Sequence, residues 1–315
     1  MYKYYKLPLI RMESFIYYSK KIGCNFLLCQ GPGGNTSIKS GKYIYIKKSG
    51  MFLSDSDKNI FKKVELSSIL DFYKARNNDE KFENTLSIET PFHVLLANKY
   101  VFHYHSLASI IMSSIYSRQE LNNFLFKNKI LPVDYIRPGN ELAKEIIKKN
   151  NNKNFEKFFL YNHGIVVKGN NVKKVYSEIN HLENLFKKYI DYEKLRKVTN
   201  TLLGLKVFNN KIENPNPKIN YELFSGKYLF PDHSVFFPDS FKQLNKVDLN
   251  KDVTFDDKYI YLNKSLNSTE EIYFKTLLII FNYINDKKVK NYIKPDIGIK
   301  LRESSDEQLR IKVNK

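Results

Sequence analysis

The sequence predicts an α/β layered fold in two parts, on three observations. Through roughly the first two hundred residues, stretches with apolar residues at helical spacing alternate with short runs rich in β-branched and aromatic residues, joined by short loops. An Asn- and Pro-rich stretch, NNKIENPNPKIN at 209–220, then interrupts the pattern as a linker, and further strand- and helix-like segments follow it. The 315 residues are enough to bury a substantial core. The expected division is a main domain over 1–205 and a smaller α/β extension over 206–315.

Ser14 to Ile22 carries apolar residues at helical spacing, and Gly23 follows as a stop. After the glycine-rich loop GPGGNTS at 31–37, KYIYIKK at 42–48 alternates and reads as a strand. Ser87 to Tyr100 reads as a helix opened by a Ser or Thr cap, with Glu89 in its first turn. KYVFHYH at 99–105 is a strand running into the helix LASIIMSSIYS at 107–117. Leu142 to Lys149 is a further helix. FFLYNHGIVVK at 158–168 is a buried strand or strand pair broken at Gly164, and from Val172 to Glu193 the spacing is helical again. Beyond the linker, YLFPDHSVFF at 228–237 and DDKYIYLNKSL at 256–266 look like strands, and Glu270 to Ile284 is a strongly apolar helix. The residues after 285 are basic and weakly patterned.

The formal net charge of +19 invites a phosphate-rich partner such as nucleic acid. The basic residues are mostly Lys, however, dispersed among Asn, Ile, Tyr and Phe, and Trp is absent. That is a bias of composition, and no nucleic-acid partner is expected. The charge does favour long-range attraction of small phosphorylated or carboxylated substrates. No run approaches the roughly 20 apolar residues of a membrane helix. The opening MYKYYKLPLIRMES lacks a small-residue cleavage pattern, so a cytoplasmic protein is the expectation. Cys24 and Cys29 match neither a zinc knuckle nor a CxxC pair and read as ordinary thiols.

FHYHS at 102–106 places two of the chain's six histidines one residue apart. On a strand, residues i and i+2 share a face with Cα atoms about 6.5 Å apart. Two imidazoles so placed can converge on one divalent ion with bonds of roughly 2.0–2.1 Å. The same spacing suits two hydrogen-bonded, partly buried histidines, so His103 and His105 alone leave both readings open. A catalytic metal requires a third protein ligand and an open position. His163 is the best candidate, because NHG at 162–164 puts a polar ring into an otherwise apolar strand and Gly164 permits close approach. His93 competes, since Glu89 and His93 lie at i and i+4 of the expected helix. His181 and His233 read as solvent-facing or structural. The second constellation is GPGGNTS followed by Lys47, Lys48, Ser49 and Gly50. Its backbone N–H groups, hydroxyls and cation have the chemistry of a phosphate cradle. Neither a Walker A loop nor a GxGxxG fingerprint is present, and a tight turn has the same composition.

In order along the chain, GGNTS (33–37), KKSG (47–50), SIETPFH (87–93), FHYHS (102–106), DYIRPGNELA (134–143) and NHGIVVKG (162–169) resemble the class II aldolase/adducin family. The resemblance spans roughly residues 15–190, and FPDH at 230–233 is similar to the longer form of the family, like the aldolase module of bifunctional rhamnulose-phosphate aldolase/dehydrogenase proteins. It implies a largely antiparallel central sheet flanked by helices, assembled as a homo-tetramer with active sites at subunit interfaces. It implies further that His103, His105 and His163 hold Zn2+ or another divalent metal, and that Glu89 shuttles the proton beside it. Asn35 matches the residue that contacts the reacting oxygen. Gly34, Thr36, Ser49, Gly50 and Ser87 fall in the phosphate-cradling loops, with Lys48 beside them. Tyr135 matches a tyrosine that in some members reaches into the neighbouring subunit's site as an acid. Ile88 departs from the pattern, since fuculose-phosphate-type members have a second serine there. The implied function is a zinc-dependent aldolase acting on a phosphorylated ketose or related sugar phosphate through a metal-stabilised enediolate. Relatives with the same metal site decarboxylate 3-keto sugar-acid phosphates or epimerise pentulose phosphates, and adducin-like relatives are non-catalytic binding modules. The sequence leaves these alternatives open.

Overall fold

The computed structural model describes residues 6–75, 81–151, 153–218, 226–238, 240–243, 253–262, 265–285, 287–304, 307–308 and 311. The chain divides into two compact units, one of residues 1–109 and 122–185 and one of residues 110–121 and 186–315. Along the chain, helix α1 (Lys6–Gly23) leads into β1 (Asn35–Ser40) and β2 (Tyr43–Lys47). A 3-10 turn (Leu53–Asp55), β3 (Phe61–Glu65), α2 (Leu66–Ala75) and α3 (Thr90–Leu95) precede β4 (Tyr100–Tyr104). Next come α4 (Leu107–Ile115), α5 (Arg118–Lys127), β5 (Leu131–Val133), α6 (Asn140–Asn150), β6 (Lys157–Leu160), β7 (Gly164–Gly169) and α7 (Val172–Phe186).

The strands of the first unit form one sheet in the order β3-β2-β1-β4-β7-β6-β5. Neighbours are antiparallel except β5 and β6, which are parallel. The protein is therefore a mixed α/β structure with a mostly antiparallel sheet, as the sequence and the resemblance together led us to expect. Central β4 is buried along its length, and its alternating side chains enter two cores. Val101 packs with Phe92 and Leu96 from α3 and its end and with Leu142 and Ile146 of α6. Phe102, on the opposite face, meets Phe15 of α1 edge to face at 5.8 Å. Each such side chain contributes roughly 1.5–3 kcal/mol when fully buried. This packing sets α3 and α1 on opposite faces of β4, and strand pairing sets β1 beside it.

Three elements along this part of the chain differ from expectation. The end of the glycine-rich loop is strand from Asn35 onward, because β1 finds partners on both edges, β2 and β4. The helix expected over 87–100 shrinks to α3: Pro91 occupies its first turn, Leu96 adopts extended backbone, and Tyr100 is already in β4. The helix expected over Val172 to Glu193 is two, since α7 stops at Phe186 and Asp191 caps α8 (Tyr192–Leu203) by accepting from Lys194 N–H at 2.9 Å.

The second unit continues with β8 (Lys211–Glu213), α9 (Pro231–Phe236), β9 (Ser240–Gln243), β10 (Val253–Phe255), β11 (Tyr259–Leu262), α10 (Ser268–Ile284) and α11 (Pro295–Arg302). Its sheet runs β8-β11-β10-β9. Helix α10 is the expected apolar one, started by a capping box in which Asn267 and Glu270 bond each other's backbone N–H. The expected linker instead contains β8, reached through Asn209 and Asn210 in left-handed conformation (φ 48° and 55°), which closes a tight turn between Phe208 and Lys211. Part of YLFPDHSVFF, expected as a strand, is helix α9, because Pro231 sits in its first turn with Asp232 beside it. Of the expected linker, residues 219–220 lie outside the described residues, as do 263–264 of the second expected strand.

Candidate active site

Two loops and one strand of the first unit bring the candidate metal ligands together. His103 is in β4 and His105 directly follows it, so strand alternation turns both rings to the face covered by α3. His163 ends the three-residue connection between β6 and β7, where Leu160 pairs with Gly164 and Asn162 has φ 54°. That connection returns the chain beside β4, since Tyr104 pairs with Ile165. Glu89 is the residue before α3. One donor atom from each of Glu89, His103, His105 and His163 lies within 4.8 Å of all the others, and all four residues are buried.

The proton positions follow from the partners. His103 Nδ1 is 3.0 Å from the Ile165 carbonyl oxygen, an acceptor, so Nδ1 donates and Nε2 is the atom left to face the other three groups. That Nε2 is 3.1 Å from His105 Nε2 and 3.2 Å from Glu89 Oε1, while His163 Nε2 is 3.0 Å from the same Oε1. A tetrahedral ion with bonds of about 2.0–2.1 Å holds its donors ~3.3 Å apart. Three imidazoles and a carboxylate at these separations therefore fit a divalent cation. Burial pushes the Glu89 carboxyl up, but the charge of His103 and the contacts with His103 and His163 outweigh it, and the group lies well below the usual carboxylate range. Burial holds His93 well below the usual imidazole range despite the Glu89 charge, so that ring is neutral.

Asn35 opens β1 opposite His103 and donates Nδ2–H to Glu89 Oε2 at 2.5 Å. Its Oδ1 is buried with no hydrogen-bond partner among the described residues. Gly34 has φ +69°, and a Cβ there would stand 3.0 Å from the His103 carbonyl oxygen. Ser87 Oγ accepts the Glu89 N–H at 3.2 Å. The backbone N–H groups of Lys48 and Ser49 are already used within the chain, Lys48 N–H donating to Ile60 O at 2.8 Å and Ser49 N–H to Thr85 O at 2.9 Å, and Gly50 follows with φ +75°. Thr36 turns the other way: its Oγ1 is 2.8 Å from Ser19 Oγ of α1, on the opposite face of the sheet. Tyr135 lies in the segment between β5 and α6, and β5 is the third strand from β4 in the sheet.

Sequence reasoning gave no role of their own to three residues here. Gly33 walls the site, since a Cβ on it would lie 2.7 Å from His105 Nδ1. Lys47 is buried, and its Nζ donates to the Pro32 carbonyl at 2.9 Å and the Met51 carbonyl at 2.6 Å, tying the glycine-rich loop to the segment after β2. Ser37 is hydrogen-bonded to His93 Nδ1 at 2.8 Å. Its signal was the two-residue period that puts it on the face of Asn35.

With the geometry in place, comparison with known proteins narrows the reading. Over 190 residues the chain is 28% identical to the uncharacterized oxidoreductase YuxG of Bacillus subtilis, covering 53% of this chain and 28% of that protein. The chain thus spans less than a third of the length of that relative. It is also 28% identical over 162 residues to the L-fuculose phosphate aldolase of Methanocaldococcus jannaschii, covering 49% of this chain and 81% of that one. Among solved structures, the N-terminal class II aldolase domain of a conserved protein from Thermoplasma acidophilum shares the fold, with a TM-score of 0.51, 24% identity, and coverage of 57% of this chain and 93% of that one. The family model for the class II aldolase and adducin N-terminal domain matches residues 13–190, and the chain belongs to that family.

Proposed function

We propose that this chain is a metal-dependent carbon–carbon lyase acting on a phosphorylated ketose or related sugar phosphate. The observation that carries this reading is the meeting of Glu89 Oε1 with the Nε2 atoms of His103 and His163, at 3.2 and 3.0 Å, beside His105. His103, His105 and His163 would hold the metal, zinc by preference for such a donor set. When bound, the metal supplies a Lewis acid for the charge that develops beside the substrate carbonyl. Glu89, held anionic in the folded chain, takes a proton from carbon in the bond-forming direction and delivers one to that carbon after cleavage. Asn35 keeps that carboxylate aimed through Oε2 and offers Oδ1 to a substrate hydroxyl. Gly34, Lys48, Ser49, Gly50 and Ser87 are the groups we assign to the phosphate; Thr36 is left out because its hydroxyl faces α1. Tyr135 is assigned to the hydroxyl whose oxygen becomes the aldehyde, taking its proton as the carbon–carbon bond breaks and returning it in the bond-forming direction, in a homo-tetramer whose sites lie between subunits. Residues 1–205 carry this chemistry in a cytoplasmic protein, and 206–315 extend it. The similarity to an L-fuculose phosphate aldolase supports the reading.

The test is metal analysis of the purified protein together with retro-aldol cleavage of a panel of phosphorylated ketoses, with His103→Ala and His105→Ala alongside. About one equivalent of divalent metal, lost together with cleavage in both variants, is the expected result. A metal-free protein whose activity ignores both substitutions would sink the proposal. Carbon dioxide release, or stereochemical exchange without fragmentation, would assign a decarboxylase or an epimerase to the same residues.

A further inference from the structure

We infer that His93 is a positioning residue for Glu89: its hydrogen bond to Ser37 is the second of two rungs that lock α3 against β1 and aim the Glu89 carboxylate at the three imidazoles. The first rung is Asn35 Nδ2 to Glu89 Oε2 at 2.5 Å, the second Ser37 Oγ with His93 Nδ1 at 2.8 Å. Two residues of strand advance about 6.6 Å and four residues of helix about 6 Å, so the pairs 35/37 and 89/93 are commensurate. The first rung holds the carboxylate at the start of α3 and the second ties the next turn of the helix to the same strand. Glu89 has no side-chain capping bond within its own helix, so the orientation of its carboxylate comes from elsewhere. Phe92 links the same turn to the metal cluster, stacked on His93 at 4.6 Å and edge-on to His103 at 5.6 Å. His93 is fully buried, and its Nε2 has no hydrogen-bond partner among the described residues. The ring therefore acts through Nδ1.

The inference rests on the metal site proposed above and not on the reaction assigned to it, so the readout is metal affinity. Co2+ is titrated into the full chain as wild type and as His93→Leu, His93→Asn and Ser37→Ala, each with and without Glu89→Gln. His93→Asn sets an amide near the place of Nδ1 and lacks Nε2; Ser37→Ala removes the same rung from the strand side and guards against a folding defect in His93→Leu. We expect His93→Leu and Ser37→Ala each to weaken Co2+ binding by about tenfold, His93→Asn to stay within about twofold of wild type, and none of the three to add to the loss in Glu89→Gln. A His93→Asn as weak as His93→Leu, a Ser37→Ala at wild-type affinity, or a full effect persisting in Glu89→Gln would overturn the inference. Wild-type protein that binds Co2+ normally but cleaves no sugar phosphate would count against the lyase reading and leave this one standing.

Discussion

Glu89 carries a negative charge inside the protein, and a buried charge costs several kcal/mol unless partners compensate it. Here the compensation comes from ring nitrogens at 3.0 and 3.2 Å and the Asn35 amide at 2.5 Å. Glu89→Gln keeps the shape and removes the charge and the proposed base. At saturating metal, turnover should fall roughly 10²- to 10⁴-fold, the usual worth of a positioned proton carrier, and steady-state kinetics on the best substrate checks it. Gly33 tests the wall: a Cβ there meets His105 Nδ1 at 2.7 Å and the Gln30 carbonyl oxygen at 2.9 Å. Gly33→Ala should displace the ring and weaken metal binding by about tenfold or more, read by metal-competition titration. These two residues also mark how far single positions were legible. The HxH pair was readable because two residues is the strand period, and NHG because a polar ring interrupted an apolar run. The orientation of Thr36 toward Ser19 and the burial of Lys47 were not, because both depend on which helix covers which face of the sheet, a long-range fact with no local pattern.

At the scale of elements, the site hangs on the β6–β7 connection and on the brevity of α3. Gly164 has φ +155°, and a Cβ there would lie 2.4 Å from the Tyr104 carbonyl oxygen and 3.2 Å from His105 Cα, both backbone atoms that cannot swing aside. Gly164→Ala should therefore cost about 2–3 kcal/mol of stability and spoil the placement of neighbouring His163. Gly41, in the β1–β2 turn, has φ +57° with nothing within 4 Å of its Cβ position. Gly41→Ala should cost about 1–2 kcal/mol, the price of left-handed backbone alone, and leave metal binding untouched. Urea unfolding and metal titration of the two variants separate crowding from conformation. Strand and helix periods in the sequence located β2, β4, β7 and α10 well. They overran α3 and fused α7 with α8, because there the breaks are made by tertiary pairing at Tyr100 and by the Asp191 cap, which a periodicity does not register.

On the scale of the whole molecule, the second unit has its own core, and it has a buried titratable group with no assigned chemistry. His233 lies in α9 among Tyr228, Phe230 and Phe281, and its Nδ1 accepts the Leu229 N–H at 3.2 Å. The sequence could not distinguish this from a surface histidine, because the predicted strand around it has the wrong period. Burial alone lowers its pKa to about 3, against an unfolded value near 6.5. Between those values the unfolded chain binds a proton that the folded chain refuses, so stability falls as pH falls, by about 1.4 kcal/mol per pH unit for one such group. The loss begins below pH 6.5, is complete near pH 3, and contributes nothing above pH 7. His93 titrates in the same direction, so the wild-type slope alone does not isolate His233. His233→Gln does, because His93 is common to both proteins and cancels in the difference. From pH 6.5 to pH 5, above the range where most carboxylates titrate, wild type should lose about 2 kcal/mol more than His233→Gln. Urea unfolding of both proteins at half-unit intervals across that range measures the difference, and parallel stability curves would show that the imidazole takes up its proton in the folded chain.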